Sequence, residues 1–302
     1  MRRILAVAAV LLVVGTGISS GALKLLDGRS GGKMPALDDG GRFVFVPSRA
    51  VPEVAVIDSR SDQLVTKIAV ARIPNQILAS DAEGVLAASF AGRSKLEVIA
   101  LSDPKSRAEV DLGITPEFMV LSPDGFLVAA ADSSLGAVSV ASLRNRKQLF
   151  QLSGLGNPRN LTFSLDGSQL YIVDGKTLEL VIVDIVQQSI VERVSLAKDL
   201  PHKQKEDGLF SVSPLTRTVD GRYGFVSLPG LDTVIVVDLR TLKPVKRLRV
   251  GRAPLRPYGT AEGRLMLVPN DGDQSVSVID TTTLEVVATL PGAKDVTAIN
   301  TG

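Results

Sequence analysis

A repeat with a period of about 42 residues is the feature of this sequence that most restricts the folds it can adopt. A short apolar segment, VIVVDL in one copy, recurs along the chain, and its fifth residue falls at Asp58, Ala100, Ser142, Asp184, Asp238 and Asp280. The steps between these positions are 42, 42, 42, 54 and 42, so the period is constant except for one insertion before the fifth copy. Periods of this length are typical of propellers and of solenoids.

Turn-forming residues keep the same phase as the apolar segments. An acidic residue followed by glycine lies at a constant distance before four of the reference positions, at Asp124, Asp166, Asp220 and Glu262. A proline lies at a constant distance after four of them, at Pro74, Pro116, Pro158 and Pro254. The acidic-glycine pairs predict tight hairpins, and a proline is tolerated where a strand begins.

Each repeat has room for four short β-strands. In the fourth repeat we predict them at residues 161–164, 169–173, 180–184 and 190–195, with turns at 166–167, 174–175 and 187–188. Four strands in about 42 residues make a propeller blade, whereas the coils of a parallel solenoid need no paired hairpin turns. The sequence therefore predicts an all-β fold, a β-propeller of four-stranded blades.

The two ends of the repeat array predict how many blades there are. The first repeat starts one strand short, since no convincing strand precedes Arg42, and residues 295–301 continue the pattern as a single innermost strand. Pairing of that C-terminal strand with the first three strands would close a ring and hide its edges. We expect six blades in one domain over residues 42–302, or seven or eight if the chain is truncated or divergent.

The N-terminal segment, residues 1–22, resembles a targeting sequence. Arg2 and Arg3 precede an apolar run and then small residues, which predicts a signal peptide, or an uncleaved anchor, over residues 1–22 and a linker over 23–41. We expect a periplasmic or secreted protein, attached to the membrane only if this segment is retained.

Removal of the two arginines leaves equal numbers of basic and acidic residues, so nothing favours nucleic acid as a partner. The absence of cysteine excludes disulfides, thiolate metal sites and covalent haem attachment.

The repeat resembles a known family. SVSVIDTTTLEVVATLPG, at residues 275–292, is similar to the YVTN-type repeat, a WD40-like propeller repeat, and QLYIVD at residues 169–174 resembles the segment that names it. The resemblance implies a propeller over residues 42–302. Relatives in this superfamily include binding propellers of the envelope, and also the haem propellers of nitrite reductases (cytochrome d1-like haem domains) with proteins that help to make their haem. Those haem sites depend on histidine, so the resemblance reaches only His202, the single histidine of this chain.

Two groups of residues are candidates for ligand binding on the face where each outer strand connects to the next inner strand. The insertion carries His202, Lys203 and Lys205; the imidazole suits an axial haem ligand or a general base, and the alternative is a solvated loop. Polar residues follow the repeated proline at the start of the inner strands, at Asn75, Gln76, Glu117, Arg159, Asn160, Arg256 and Tyr258. Arg159 and Arg256 could bind a carboxylate or a haem propionate, although channel mouths are polar in any propeller.

Other chemistry is not predicted. The oxygen-rich segment of Asn270, Asp271 and Asp273 could hold a hard cation, but Gly272 between the two acids favours a hairpin turn, and we predict no metal site. No nucleophile elbow, zinc-binding pair of histidines or phosphate-binding glycine loop is present, so we predict no catalytic residues.

The preferred function is a non-catalytic binding or assembly module of the periplasm or envelope that takes a protein partner or a small molecule. One alternative is a haem-binding propeller of the nitrite-reductase haem maturation type, with His202 as ligand and Arg159 and Arg256 on propionates. Another is an envelope scaffold anchored by its N-terminal segment.

Overall fold

The structure is a computed structural model that describes residues 43–196 and 212–292. All regular structure there is β, apart from a 3-10 turn at Pro229–Leu231, which confirms the predicted fold class. No helix within the described ranges is both long and apolar enough to cross a membrane. The predicted leader and linker, residues 1–41, and the predicted closing strand at 295–301 lie outside the described residues.

The strands form six sheets, numbered in chain order. Sheet 1 contains β1 (Phe43–Pro47), β2 (Glu53–Asp58) and β3 (Gln63–Ala69). Sheet 2 contains β4 (Gln76–Ser80), β5 (Val85–Ser89), β6 (Lys95–Ala100) and β7 (Arg107–Asp111). Sheet 3 contains β8 (Phe118–Leu121), β9 (Leu127–Asp132), β10 (Ala137–Ser142) and β11 (Lys147–Leu152).

The other three sheets follow the same plan of four consecutive strands. Sheet 4 contains β12 (Pro158–Phe163), β13 (Gln169–Asp174), β14 (Glu179–Asp184) and β15 (Ser189–Ser195). Sheet 5 contains β16 (Thr216–Arg217), β17 (Tyr223–Leu228), β18 (Thr233–Asp238) and β19 (Lys243–Arg249). Sheet 6 contains β20 (Tyr258–Gly259), β21 (Leu265–Asn270), β22 (Ser275–Asp280) and β23 (Glu285–Pro291). The four strands predicted for the fourth repeat are confirmed, with small differences at their ends.

Where the reference position of the repeat is an aspartate, its carboxylate caps the turn between the last two strands of the sheet. The Asp184 carboxylate accepts the N–H groups of Val186 and Gln187, both at 2.8 Å. Asp58, Asp238 and Asp280 make the same pair of bonds in their own sheets. An Asx turn of this kind satisfies backbone donors that the hairpin leaves unpaired, so the period visible in the sequence is the period of a hydrogen-bonded cap.

The acidic-glycine pairs form the hairpins between the first and second strands, as predicted. In sheet 4, the Ser164 hydroxyl donates to Asp166 at 2.6 Å and accepts the N–H of Gln169 at 2.9 Å. Sheets 3 and 5 repeat this arrangement with Ser122 and Thr218. The glycine that follows the acid has φ between 70° and 78° in all four turns of this type, a backbone region that glycine enters without strain.

The chain divides into two compact units, and sheet 3 contributes residues to both. The first unit holds sheets 1 and 2, and its core is the apolar cluster between their facing sides, which includes Val54, Leu86 and Phe90. The second unit holds sheets 4, 5 and 6. One cluster, with Tyr171, Leu180 and Val226, lies between sheets 4 and 5, and another, with Phe225 and Met266, lies between sheets 5 and 6. Within each unit, neighbouring sheets therefore pack face to face.

Candidate functional site

The amide of Gln76 joins two sheets. Its Nε2 donates to the carbonyl oxygen of Met119 at 2.7 Å, and its Oε1 accepts the N–H of Met119 at 2.8 Å. Asn75 donates more weakly to the carbonyls of Pro116 and Glu117, at 3.4 and 3.5 Å. The first strand of sheet 2 is thus bonded to the first strand of sheet 3 through side chains that the sequence marked as candidate ligand contacts.

The same device recurs in the second unit. Asn160 donates to the Val212 carbonyl at 2.9 Å, and Thr162 donates to the Leu215 carbonyl at 2.8 Å. One sheet further on, Thr216 donates to the Pro257 carbonyl at 2.8 Å. These bonds satisfy polar groups where two first strands pack side by side, so the varied polar residues at this position have a structural use.

Replacement of Gln76 by alanine is expected to lower the free energy of unfolding by about 2 kcal/mol, because it removes two hydrogen bonds and leaves both backbone groups of Met119 without those partners. Gln63→Ala is the matched control, since the exposed Gln63 makes only a 3.4 Å bond to Ser61. Urea denaturation of both variants measures the difference. Equal midpoints would show that the Gln76 amide does not hold the sheets together.

The other predicted ligand contacts are distributed over three sheets. Glu117 and Arg159 are exposed, just before β8 and at the second residue of β12. Arg256 is exposed before β20 and lies 3.4 Å from the Thr216 hydroxyl, and Tyr258 is half-buried on β20. His202, Lys203 and Lys205 lie outside the described residues, so their placement stays a prediction.

The oxygen-rich segment in sheet 6 is a hydrogen-bonded turn. Asp273 accepts the Ser275 hydroxyl at 2.6 Å and the N–H of Arg252 at 2.9 Å, and these bonds hold its pKa below the ordinary value. Gln274 donates to the Asp271 carbonyl at 2.6 Å. Across the part of the chain that the structure describes, no three potential metal-ligating side chains come together.

Two grooves flank the first hairpin turn of sheet 5, at the opposite ends of the strands from the predicted ligand contacts. The groove between sheets 5 and 6, here the 5–6 groove, has a volume of about 480 Å³ and is lined by Thr218, Val219, Asp220, Arg222, Tyr223, Glu262, Gly263, Arg264, Thr281 and Thr282. The groove between sheets 4 and 5, here the 4–5 groove, has about 400 Å³ and is lined by Tyr171, Asp220, Gly221, Arg222, Leu239 and Arg240. Sequence reasoning missed both, because it interpreted Asp220 and Gly221 only as a turn.

Hydrogen bonds and burial shift the pKa values of three groups in or near the 4–5 groove. Hydrogen bonds from the Thr218 hydroxyl and the Arg222 N–H lower the pKa of Asp220. Burial raises the pKa of the Tyr171 phenol, which donates to Gln169 at 3.0 Å. Burial also lowers the pKa of Arg217, which lies on β16 near Tyr171. The groove itself combines the phenol of Tyr171 with the guanidinium groups of Arg222 and Arg240 and the turn carboxylate of Asp220.

A third cavity, of about 320 Å³, lies against sheet 2, where it is lined by Ala71, Phe90, Arg93, Lys95, Glu97, Arg107, Ala108 and Glu109. The buried Glu97 carboxylate accepts the Ala71 N–H at 2.8 Å and pairs with Arg107 at 2.5 Å. Lys95 pairs with Glu109 at 2.9 Å, and that bond raises the pKa of Lys95. Each carboxylate of this cavity is therefore paired with a basic side chain of the same sheet.

Solved structures share this arrangement of sheets. Dihydro-heme d1 dehydrogenase NirN in complex with DHE matches with a TM-score of 0.67 and 17% identity over 85% of this chain. Hydrazine synthase of Kuenenia stuttgartiensis matches with a TM-score of 0.64 and 16% identity, over 92% of this chain and 91% of that chain. The chain is a β-propeller. The propeller spans 56% of the length of the dehydrogenase chain, and identities this low show the fold alone. No protein-family model and no curated protein matches the sequence.

Proposed function

We propose that this propeller is an exported, non-catalytic binding or assembly module of the periplasm or envelope. The observation that carries the proposal is the pair of adjacent grooves beside the first hairpin turn of sheet 5. Their side chains are guanidinium, phenol, hydroxyl and carboxylate groups, which recognise a partner by hydrogen bonds and charge. The resemblance to the YVTN-type repeat and the signal-like N-terminal segment support an envelope location.

A photoreactive residue at position 219 tests this proposal. Val219 is 61% exposed and lines the 5–6 groove, whereas Val287, which is 56% exposed, lies on the last strand of sheet 6 and serves as the matched control position. We expect a discrete cross-linked product from position 219 in envelope extracts of the source organism. Excess unlabelled protein should compete it away, and the Arg222→Glu, Arg264→Glu double variant should lose it. Equal cross-linking from both positions would contradict a binding site in these grooves.

A haem-binding propeller is the second candidate, because the fold matches a dehydrogenase solved with DHE. Arg159 and Arg256 are exposed close to the starts of β12 and β20, where they can donate to propionates. We propose His202 as the iron ligand. Haem, when bound, would supply redox chemistry at its iron.

A haem titration followed by absorbance separates the two candidates. If the haem proposal is right, the Soret band shifts and saturates near one equivalent of haem, and His202→Ala abolishes the shift. Arg249→Gln, which replaces an exposed arginine on β19, is the control and should behave like the wild type. Absence of a shift, or a shift that His202→Ala retains, would leave the non-catalytic binding module.

A further inference from the structure

The last strand of sheet 2, β7, has a regular edge. The last strands of sheets 1, 4, 5 and 6 each contain a bulge, where the register with the preceding strand shifts. The bulged residue is a valine in each of them: Val65, Val191, Val245 and Val287. The register between β6 and β7 has no such shift. Because a bulge twists an edge strand away from a new partner, β7 is better suited than these four strands to pair with a further strand.

The edge of β7 presents the backbone groups of three exposed residues. The N–H of Leu112 donates to the carbonyl of Ser94 at 2.9 Å, which makes these two residues a hydrogen-bonded pair of the ladder. Hydrogen-bonded and non-hydrogen-bonded pairs alternate along antiparallel strands. The backbone N–H and C=O groups of Arg107, Glu109 and Asp111 therefore point away from β6, and all three side chains are exposed.

The charges on this edge are complementary to those of a second copy of the same strand. When two β7 strands pair antiparallel about a two-fold axis at Ala108, Arg107 of each copy lies opposite Glu109 of the other. Asp111 then lies opposite Lys105, an exposed residue just before the strand. Opposite charges directly across a ladder stabilise it. The charged side chains of β19, in KPVKRLR, are all basic, so two copies of that strand would repel each other.

Pairing of two copies also improves the arrangement of charges within each chain. Glu97 and Glu109 lie opposite each other in the register of β6 and β7, which is unfavourable for like charges. Arg107 pairs with Glu97 at 2.5 Å, and Lys95 pairs with Glu109 at 2.9 Å. Arg107 of the second copy adds another positive charge beside Glu109. The signs then alternate across the contact, from Glu97 and Arg107 of one copy to Glu109 and Lys95 of the other.

We propose that this chain forms a two-fold dimer in which β7 pairs antiparallel with β7 of a second copy, with Ala108 at the axis. The two copies of sheet 2 then form one continuous sheet. The contact is short, so the dimer is weak and its population depends on protein concentration. This inference goes beyond the proposed binding function, whose grooves lie beside sheet 5.

An engineered disulfide tests the register. The chain contains no cysteine, and position 108 forms a non-hydrogen-bonded pair with itself across the axis, with Cα atoms about 4.5 Å apart, which a disulfide can span. We expect Ala108→Cys to give a covalent dimer in oxidised glutathione. The control is Ala288→Cys, because Ala288 is also half-buried and lies eight residues after its reference position, as Ala108 does. It should stay monomeric. The proposal fails if Ala108→Cys also stays monomeric, as it would if another segment of the chain already paired with β7, or if both variants cross-link equally.

Sedimentation of the full chain over a concentration series tests the charges. Glu109→Lys should weaken the dimer by about 10-fold or more, because two attractive cross-strand pairs become repulsive. Glu192→Lys changes an exposed glutamate on the bulged strand β15 and should dimerise like the wild type. A wild type that stays monomeric at every concentration, or equal dimerisation of both variants, would overturn the proposal. Circular dichroism checks the fold of each variant, and if Glu109→Lys does not fold, the disulfide decides. A monomeric protein that still cross-links from position 219 would refute only this inference and keep the binding function.

Discussion

Replacement of Asp174 by alanine is expected to lower the free energy of unfolding by about 3 kcal/mol, among the largest effects of a single polar substitution in this propeller. The Asp174 side chain is fully buried at the end of β13. It accepts four backbone hydrogen bonds, from Gly156, Asn157, Lys176 and Thr177, at 2.6 to 3.2 Å. One carboxylate thus fixes both the turn that follows β13 and the connection that leads into β12.

Asp184→Ala is the matched control for this experiment. Asp184 also caps a turn of sheet 4, but it bonds only two N–H groups, and these are exposed to water. Its loss should cost about 1 kcal/mol, because water replaces the missing acceptor. Chemical denaturation measures both values. If the two variants lose the same stability, the buried bonds to Gly156 and Asn157 do not contribute as the geometry indicates.

Replacement of Gly136 by alanine is expected to cost about 3 kcal/mol or more, since it combines backbone strain with a steric clash. Gly136 has φ of 59°, and a Cβ atom built there would lie 2.1 Å from the carbonyl oxygen of Leu155. The contact is with backbone, which is itself fixed by the bond from the Leu155 N–H to the Gly136 carbonyl at 3.0 Å. The connection after β11 would therefore have to move.

Gly84→Ala separates the clash from the strain. Gly84 has nearly the same φ, 60°, but a Cβ atom there would meet nothing within 4 Å. This control should lose only the cost of a left-handed alanine, about 1 to 2 kcal/mol. The difference between the two variants in denaturation midpoint measures the close approach of Gly136 and Leu155. Equal losses would mean that the connection shifts at no cost.

The sequence by itself determined the repeat, the strands and the turns of this protein. These features depend on neighbouring residues: the continuous run of apolar side chains along β14, the Asx turn at Asp184, and the hairpin at Asp166 and Gly167. Each involves a side chain and backbone groups a few residues away, so each leaves a pattern that recurs with the period of the repeat. The three strands of sheet 1 that lie within the described residues were predicted on the same basis.

Only the tertiary structure decided how the polar residues at the starts of the first strands are used and where the grooves lie. Gln76 bonds a backbone 43 residues away, and Tyr171 and Asp220, which belong to different sheets, line the same groove. Their neighbours are set by how one sheet packs on the next, which leaves no local pattern in the sequence. Polar side chains of the same residue type, at the same position in the repeat, can either join two sheets or bind a ligand. Which of the two uses applies depends on the atoms that face the side chain from the neighbouring sheet, and only the packing of the sheets places those atoms.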